Sequence, residues 1–552
     1  MMFRNERTLY KRGNNAPGHE NEQIVSIHRP ETQYTVYDDR IWWSDAWDPV
    51  SYGQAYDFTK PFFEQYHELH RKIPLINLSV TNMVNCSYCN VSEGDKGSYM
   101  ISASNRNEDC LYSNRISGDK QSSDLYIATK NELCYEIVGS NSNFKVKWAE
   151  HTVECTDSSF LYNCKSCTDC IGCVNLRNKS YCIFNEQFDR DGYLKKKEIL
   201  KLNTNLGVES VRKQFRELIA RSVHRYANSI KTVDSTGDNL ENTNDLKNAY
   251  DIFEAEHCRN VVWGGYGFRD SMDAGPGVGV QADLLYDSFD TALEVSRAMW
   301  TSVVYHSLDV RYSINCHSSS HLFGCYGLRK KEYCILNKQY TKEEYESLIP
   351  KIIEHMNSMF YVDDKGRTFK YGDFFPYDLS PFAYNETVAQ EYFPLTKNEA
   401  VERGFQWYDR ADRNYKVTIR NSDIPDDIFN VSDTVLNDII ECKNQGNEIS
   451  QCTGAFRIVP QELALYKQLG VPLPQYCYNC RHYNRLKLRN PMQLWHRKCQ
   501  CAGGASENGV YKNTAAHAHH GTGHCPNEFE TSYAPERKEI VYCEQCYQAE
   551  VV

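Results

Sequence analysis

Cysteine is the residue of this chain best placed to do chemistry: there are 23, and several stand in C-x-x-C pairs. Where thiols stay reduced, that spacing favours metal ligation or thiol burial over disulfides. A structural zinc site takes four tetrahedral thiolate or imidazole ligands, commonly two such pairs brought together across a hairpin. The segment Cys442 to Cys546 offers material for two Zn2+ sites. The first would use Cys442, Cys452, Cys477 and Cys480, with Cys477/Cys480 the close pair and Cys442/Cys452 a stretched one. The second would use Cys499, Cys525, Cys543 and Cys546, with Cys543/Cys546 the close pair. Cys501 and His524 compete for the less certain positions, and the insertion from Gln500 to His524 also carries His517, His519 and His520, so imidazole substitution stays open. Four cysteines close the coordination sphere, which points to a structural rather than a catalytic metal.

Other groups invite weaker readings. Cys164, Cys167, Cys170 and Cys173 look like a cluster-binding loop, but the second copy of the surrounding repeat keeps only Cys325, so buried thiols are expected there. Asp270, Asp273, Asp283, Asp287 and Asp290 flank the loop DAGPGVGV and could act as paired carboxylates, yet Asp and Gly are also what tight corners require. That loop matches neither a phosphate-binding nor a dinucleotide-binding fingerprint. The basic stretch from Arg481 to Lys498 mixes Arg, Lys and His with Tyr and Trp and is the candidate surface for nucleic acid, through Arg481, Arg485 and Arg489. A helix packed between two modules is the competing reading.

Two repeats indicate what positions these groups. GCVNLRNKSYCIFNEQF (172–188) and GCYGLRKKEYCILNKQY (324–340) are identical at ten of seventeen positions, so the middle of the chain is a duplication. Upstream of each copy the sequence is rich in Asn, Ser, Asp, Tyr and Cys without helical periodicity. Cys86, Cys110, Cys134 and Cys155 recur at intervals of 24, 24 and 21 residues, read as about one coil of a parallel β-helix each. Each copy ends in a YCI-x-N strand followed by a helix expected to cap the open end: 208–223 lies within the first helical stretch, Lys342 to Met359 within the second. The termini also resemble each other, with Cys543 and Cys546 matched by Asp38 and Ile41, Cys499 by about Gly13, and Trp42, Trp43 and Trp47 supplying packing in place of metal.

The expected fold is mainly β with small helical caps: a tandem parallel β-solenoid, forming a rigid rod, flanked by zinc-ribbon-like modules. The expected units are a degenerate ribbon-like module (1–75), a first solenoid repeat (76–188), a helical linker (189–236), a second repeat (237–340), a helical cap and connector (341–430) and a two-site zinc-ribbon domain (431–552). Net charge of −11 argues against a general nucleic-acid footprint. No apolar run nears eighteen residues, and Met1 to Arg12 carries charges where a secretory signal needs an apolar stretch, so cytoplasmic synthesis is expected.

RNERTLYKR (4–12), WWSDAWDPVSYG (42–53), AYDFTKPFFEQYHEL (55–69), the two duplicated motifs, SPFAYNETVAQEYFPL (380–395), IVPQELALYKQLGVPLPQYCYNCR (458–481) and CPNEFETSYAPERKEIVYCEQCY (525–547) follow one another along nearly the whole chain. In that order they resemble an uncharacterised cysteine-rich family of environmental bacterial and phage sequences with zinc-ribbon and β-solenoid repeats. The resemblance implies ligand roles for Cys477, Cys480, Cys525, Cys543 and Cys546, but no activity. The combined expectation is a non-enzymatic structural or assembly protein with zinc-stabilised docking ends, in a virion as a tail, baseplate or capsid-associated component. Its partners would be proteins, with a homo-oligomer open and no membrane. A cytosolic nucleic-acid-binding zinc protein is the alternative, and a carbohydrate-active β-solenoid using Asp273 or Asp287 the third reading.

Overall fold

The computed structural model describes residues 1–410 and 415–552; positions 411–414, inside the expected connector, lie outside the described residues. The chain is mainly β, built on two largely parallel sheets of eleven and thirteen strands. Among the described residues no helix is long and apolar enough to cross a membrane.

In the first sheet, parallel partners are twelve residues apart throughout, and only the closing hairpin Ser180–Ile183/Glu186–Gln187 is antiparallel. Asn90 pairs with Ser102, Ser102 with Asn114 and Asn114 with Tyr126. Parallel ladders begin at Thr81, Val84, Ser87 and Asn90, three residues apart, so each twelve-residue step has four short sides. From Asn82 to Phe184 every third residue has positive φ, with glycine at 94, 97, 118, 139 and 172 and many Asn and Asp among the others. For an ordinary L-residue that conformation costs about 1–2 kcal/mol, least for Gly, Asn and Asp. Backbone hydrogen bonds offset it: Lys96 N–H donates to the Asn107 carbonyl, and Asp109 N–H donates back to the Lys96 carbonyl, both at 2.9 Å. The cysteine interval of 24 therefore spans two steps rather than one, a correction to the expected coil length.

The residue after each corner faces inward. All ten cysteines from Cys86 to Cys182 fall on this phase, and all but Cys86 are buried. Inward backbone N–H groups have no ladder partner, so side chains of the preceding step accept from them. Ser122 Oγ takes Cys134 N–H at 3.0 Å, Asp119 Oδ1 takes Asn131 N–H at 2.7 Å, and Asn143 Oδ1 takes Cys155 N–H at 2.9 Å. The thiols donate to carbonyls of their own side, as Cys134 does to Glu132 at 3.3 Å. Cys164, Cys167, Cys170 and Cys173 are thus the four inward residues of one step.

The second sheet opens with an eleven-residue step, Ser229 to Leu240, takes twelve-residue steps next and toward its far end, and widens between them. Val261 pairs with Ala274 and Ala274 with Ser288, steps of thirteen and fourteen. Glycine is required there: a Cβ on Gly265 would stand 1.7 Å from the Phe253 carbonyl oxygen. Asp270, Asp273, Asp287 and Asp290 occupy positive-φ corners, while Asp283 lies in a strand. Both sheets end alike. The Asn185 side chain accepts Val174 N–H at 2.8 Å and donates to Val174 C=O at 2.9 Å, and Asn337 does so to Tyr326 at 2.8 and 2.8 Å. The invariant Asn of the two YCI-x-N copies thereby finishes the ladder where the chain turns back.

The two stacks lie side by side, not end to end as a rod. Asn90 and Val91 share a cavity with Ser302 and Val303, Arg115 stacks on Trp263 at 4.5 Å, and Tyr126 is joined to Asp251 through Arg489. Ascending positions of the first stack thus face descending positions of the second. Helix Asn205–Arg221, capped by Thr204, lays Val208, Val211, Phe215 and Ile219 along the flank of the first stack, where Phe215 meets Phe160. Helix Arg190–Leu200 meets the terminal strand Ser180–Ile183, and helix Lys342–Ser358 meets Glu332–Ile335. The N-terminal module packs Phe62 and Phe63 on Tyr312 and Trp43 on His317.

Ser122→Ala should lower the unfolding free energy by about 1–3 kcal/mol, because it orphans the buried Cys134 N–H. Ser122→Cys, which can still accept, should lose much less. Equal denaturation midpoints for the two variants would contradict the inward-acceptor account.

Candidate metal centres

The two terminal modules share one plan. Near the C-terminus, Trp495–Lys498 pairs antiparallel with Glu528–Thr531, strand Ile540–Tyr542 follows, and Cys543 caps helix Glu544–Val551. Near the N-terminus, Tyr10–Gly13 pairs with Gln23–Ser26, strand Val36–Tyr37 follows, and Asp38 caps helix Asp39–Trp42. Gln500 N–H donates to Val541 C=O, and Asn15 N–H donates to Val36 C=O, which fixes the alignment. Cys499 therefore corresponds to Asn14, not Gly13. Cys499 Sγ accepts Cys543 N–H at 3.2 Å, and Asn14 Oδ1 accepts Asp38 N–H at 3.4 Å. A side-chain amide holds the N-terminal helix where a thiol stands in the other module. Trp42 is fully buried, and Trp47 donates to its carbonyl.

Cys442, Cys452, Cys477 and Cys480 converge, as do Cys499, Cys525, Cys543 and Cys546, each set with all sulfurs within 4.8 Å. Metal–thiolate bonds of about 2.3 Å in a tetrahedron give sulfur edges of about 3.8 Å. Cys442 and Cys480 are 3.8 Å apart, Cys452 and Cys477 3.9 Å, and Cys525 and Cys543 3.8 Å. Both sets are therefore geometrically able to hold a metal ion. In each, the third cysteine begins a helix and the fourth lies one turn in. Short strands Ile440–Glu441 and Ala455–Phe456 present Cys442 and Cys452 from a hairpin. Crowding at one point splits the four thiols: hydrogen bonds from Cys442, Cys452 and Cys480 draw Cys477 far down, while Cys442 and Cys480 are pushed well up.

Among the described residues, two further groups could hold a metal: Cys501, His517, His520 and Cys546, and His519, His520, Cys525 and Cys546. His524 instead bonds Glu507 at 2.7 Å and the Cys525 carbonyl, outside every set. The sequence pointed to the histidines as a group but not to which of them turn inward.

The first half of the basic stretch turns inward, while Lys487, His496 and Lys498 stay exposed. Arg481 is ion-paired to Asp124 at 3.1 Å and Glu462 at 3.2 Å, and Arg485 to Asp124 at 2.5 Å. Arg489 bonds Tyr126 of the first stack at 2.8 Å and Asp251 of the second at 2.9 Å. Helix Tyr478–Leu486, capped by Cys477, carries Cys480 on one side and the buried Arg481 and Arg485 on the other. Arg481, Arg485 and Arg489, the three candidate nucleic-acid contacts, are thus committed to carboxylates of the same chain. Asp273 accepts from Asn260, and Asp287, raised to about 6 mainly by burial, faces the chain's own N-terminus.

Comparison with protein-family models and with curated proteins found no match to this chain.

Arg485→Ala should cost less than the about 3–5 kcal/mol of a wholly stranded charge, because the fully buried Asp124 keeps Arg481 at 3.1 Å. The double variant Arg485→Leu/Asp124→Leu should recover much of it; no recovery in a double-mutant cycle would contradict the pairing. Cys477→Ser should release one metal equivalent by elemental analysis and leave the second set loaded.

Proposed function

We propose that this protein is a structural component of a larger assembly, in which two β-solenoids are clamped side by side into one stiff body by zinc-ribbon-like ends. The observation that carries this reading is where the chemically capable residues are spent. Both four-cysteine sets anchor helices that dock on the chain's own stacks, and the arginine row between them joins one stack to the other. Closed four-thiolate tetrahedra support zinc as the metal, held for stability rather than turnover.

The end modules are docked in cis, so the surfaces left for neighbours are the outer flanks of the solenoids. Lys96, Glu108, Lys120 and Glu132 stand one above the other on an exposed ladder with alternating sign. Asn248, Asn260 and Asp273 form a second exposed ladder, hydrogen-bonded at 3.0 and 2.8 Å. Such regular, extended flanks suit repeated contact with other proteins. The resemblance to phage sequences makes a virion the assembly in which to look.

Cross-linking mass spectrometry on native particles should give links from Lys96 and Lys120 to other polypeptides at fixed stoichiometry. A protein recovered only as a free monomer, with intramolecular links alone, would remove the assembly role.

A further inference from the structure

The C-terminal module contains more ligands than one ion can use. Beside the set Cys499, Cys525, Cys543 and Cys546 lie Cys501, His517 and His520, and Cys546 belongs to both groups. Cys501 Sγ is 3.3 Å from His517 Nδ1, His517 Nδ1 is 3.1 Å from His520 Nε2, and His520 Nε2 is 3.3 Å from Cys546 Sγ. A tetrahedral ion with two sulfur and two nitrogen ligands has edges of about 3.3–3.8 Å, close to these.

The outer nitrogens decide what the inner ones offer. His517 Nε2 is held at 2.9 Å by Glu550, with both side chains fully buried, and His520 Nδ1 is held at 2.9 Å by the Gly523 carbonyl. Carboxylate and carbonyl only accept, so both outer nitrogens carry the proton. The inner nitrogens then present lone pairs to each other, a repulsive arrangement that a cation between them converts into ligation. Outer N–H groups held by a carboxylate or a carbonyl are the usual support of metal-bound imidazoles. Glu550 is itself fixed by Thr514 N–H at 2.8 Å and the Tyr511 hydroxyl at 3.0 Å, while Asn513 donates to Cys501 Sγ at 3.1 Å.

We propose that this module binds a second Zn2+ through Cys501, His517 and His520, with Cys546 as a thiolate bridging the two ions. His519, exposed, places Nε2 3.4 Å from Cys525 and 3.5 Å from Cys546 and stands at the rim of the first ion. The proposal rests on the reading that the four-cysteine sets hold zinc.

Native mass spectrometry of the full chain loaded with Zn2+ tests it. Three ions per chain are expected, and two in His517→Ala/His520→Ala. Two ions in the wild type, or three in the double variant, would overturn the bridged site and leave the four-cysteine sets standing. No bound zinc at all would overturn both. Because the double variant can lose the local fold, the wild type loaded with 113Cd gives an independent readout. Two resonances coupled through the shared thiolate, plus one uncoupled, are expected; three uncoupled resonances would overturn the bridge.

Discussion

A left-handed corner at every third residue is the constraint on which this architecture depends. It sets the twelve-residue step, makes each side only three residues long and leaves an interior too narrow for stacked large aliphatic side chains on every side. It also turns one backbone N–H per side inward, away from the ladders. Small side chains that can accept a hydrogen bond answer both demands, and Ser, Asn, Asp and Cys supply them in rows such as Asp95, Asn107, Asp119, Asn131, Asn143 and Cys155. Cysteine fits because it is nearly apolar yet accepts weakly and donates to a nearby carbonyl. The strain at the corners is distributed, and the stacked hydrogen bonds hold it.

What such stacks lack is a large apolar face, and the flanking elements provide it. Phe160, Trp148 and Tyr135 of the first stack are covered by Phe215 and Tyr466, and Tyr312 and Phe323 of the second by Phe62 and Phe63. Between the stacks the contact is ionic and aromatic. Arg4 bonds Asp290 at 2.7 Å, Arg115 is caged by Trp263, Tyr126 and Tyr392, and Arg489 spans both sides. Buried pairs of this kind add little net stability but penalise any other register heavily. The seam therefore fixes how the stacks sit, and the segment from helix Tyr478–Leu486 to Arg489 holds the seam through Arg481, Arg485 and Arg489.

Parts of this were legible in the sequence. Both four-cysteine sets could be read because each joins a close pair at a helix start to two distant cysteines, although in the second Cys501 and the histidines compete for the distant positions. The duplication was legible from residues 172–188 and 324–340. The step length was not, since a period of three filled by Ser, Asn and Cys produces neither helical nor strand-like apolar spacing; only the common phase of the cysteines carries it. The partners of the arginine row could not be read because they are remote: Asp124 is 361 residues from Arg485. The match of Cys499 to Asn14 needed the hydrogen-bond register, as an amide replacing a thiol leaves no sequence signature.

The four-cysteine sets and the arginine row are expected to hold the two stacks and their flanking elements in one body. Hydrogen exchange of the full chain, with and without chelator, tests this directly. Metal removal should raise exchange in helices Tyr478–Leu486 and Glu544–Val551 and along the seam near Tyr126 and Asp251, while inward amides such as Cys134 and Asn143 stay protected. Unchanged exchange at the seam, or uniform loss of protection through both stacks, would contradict it.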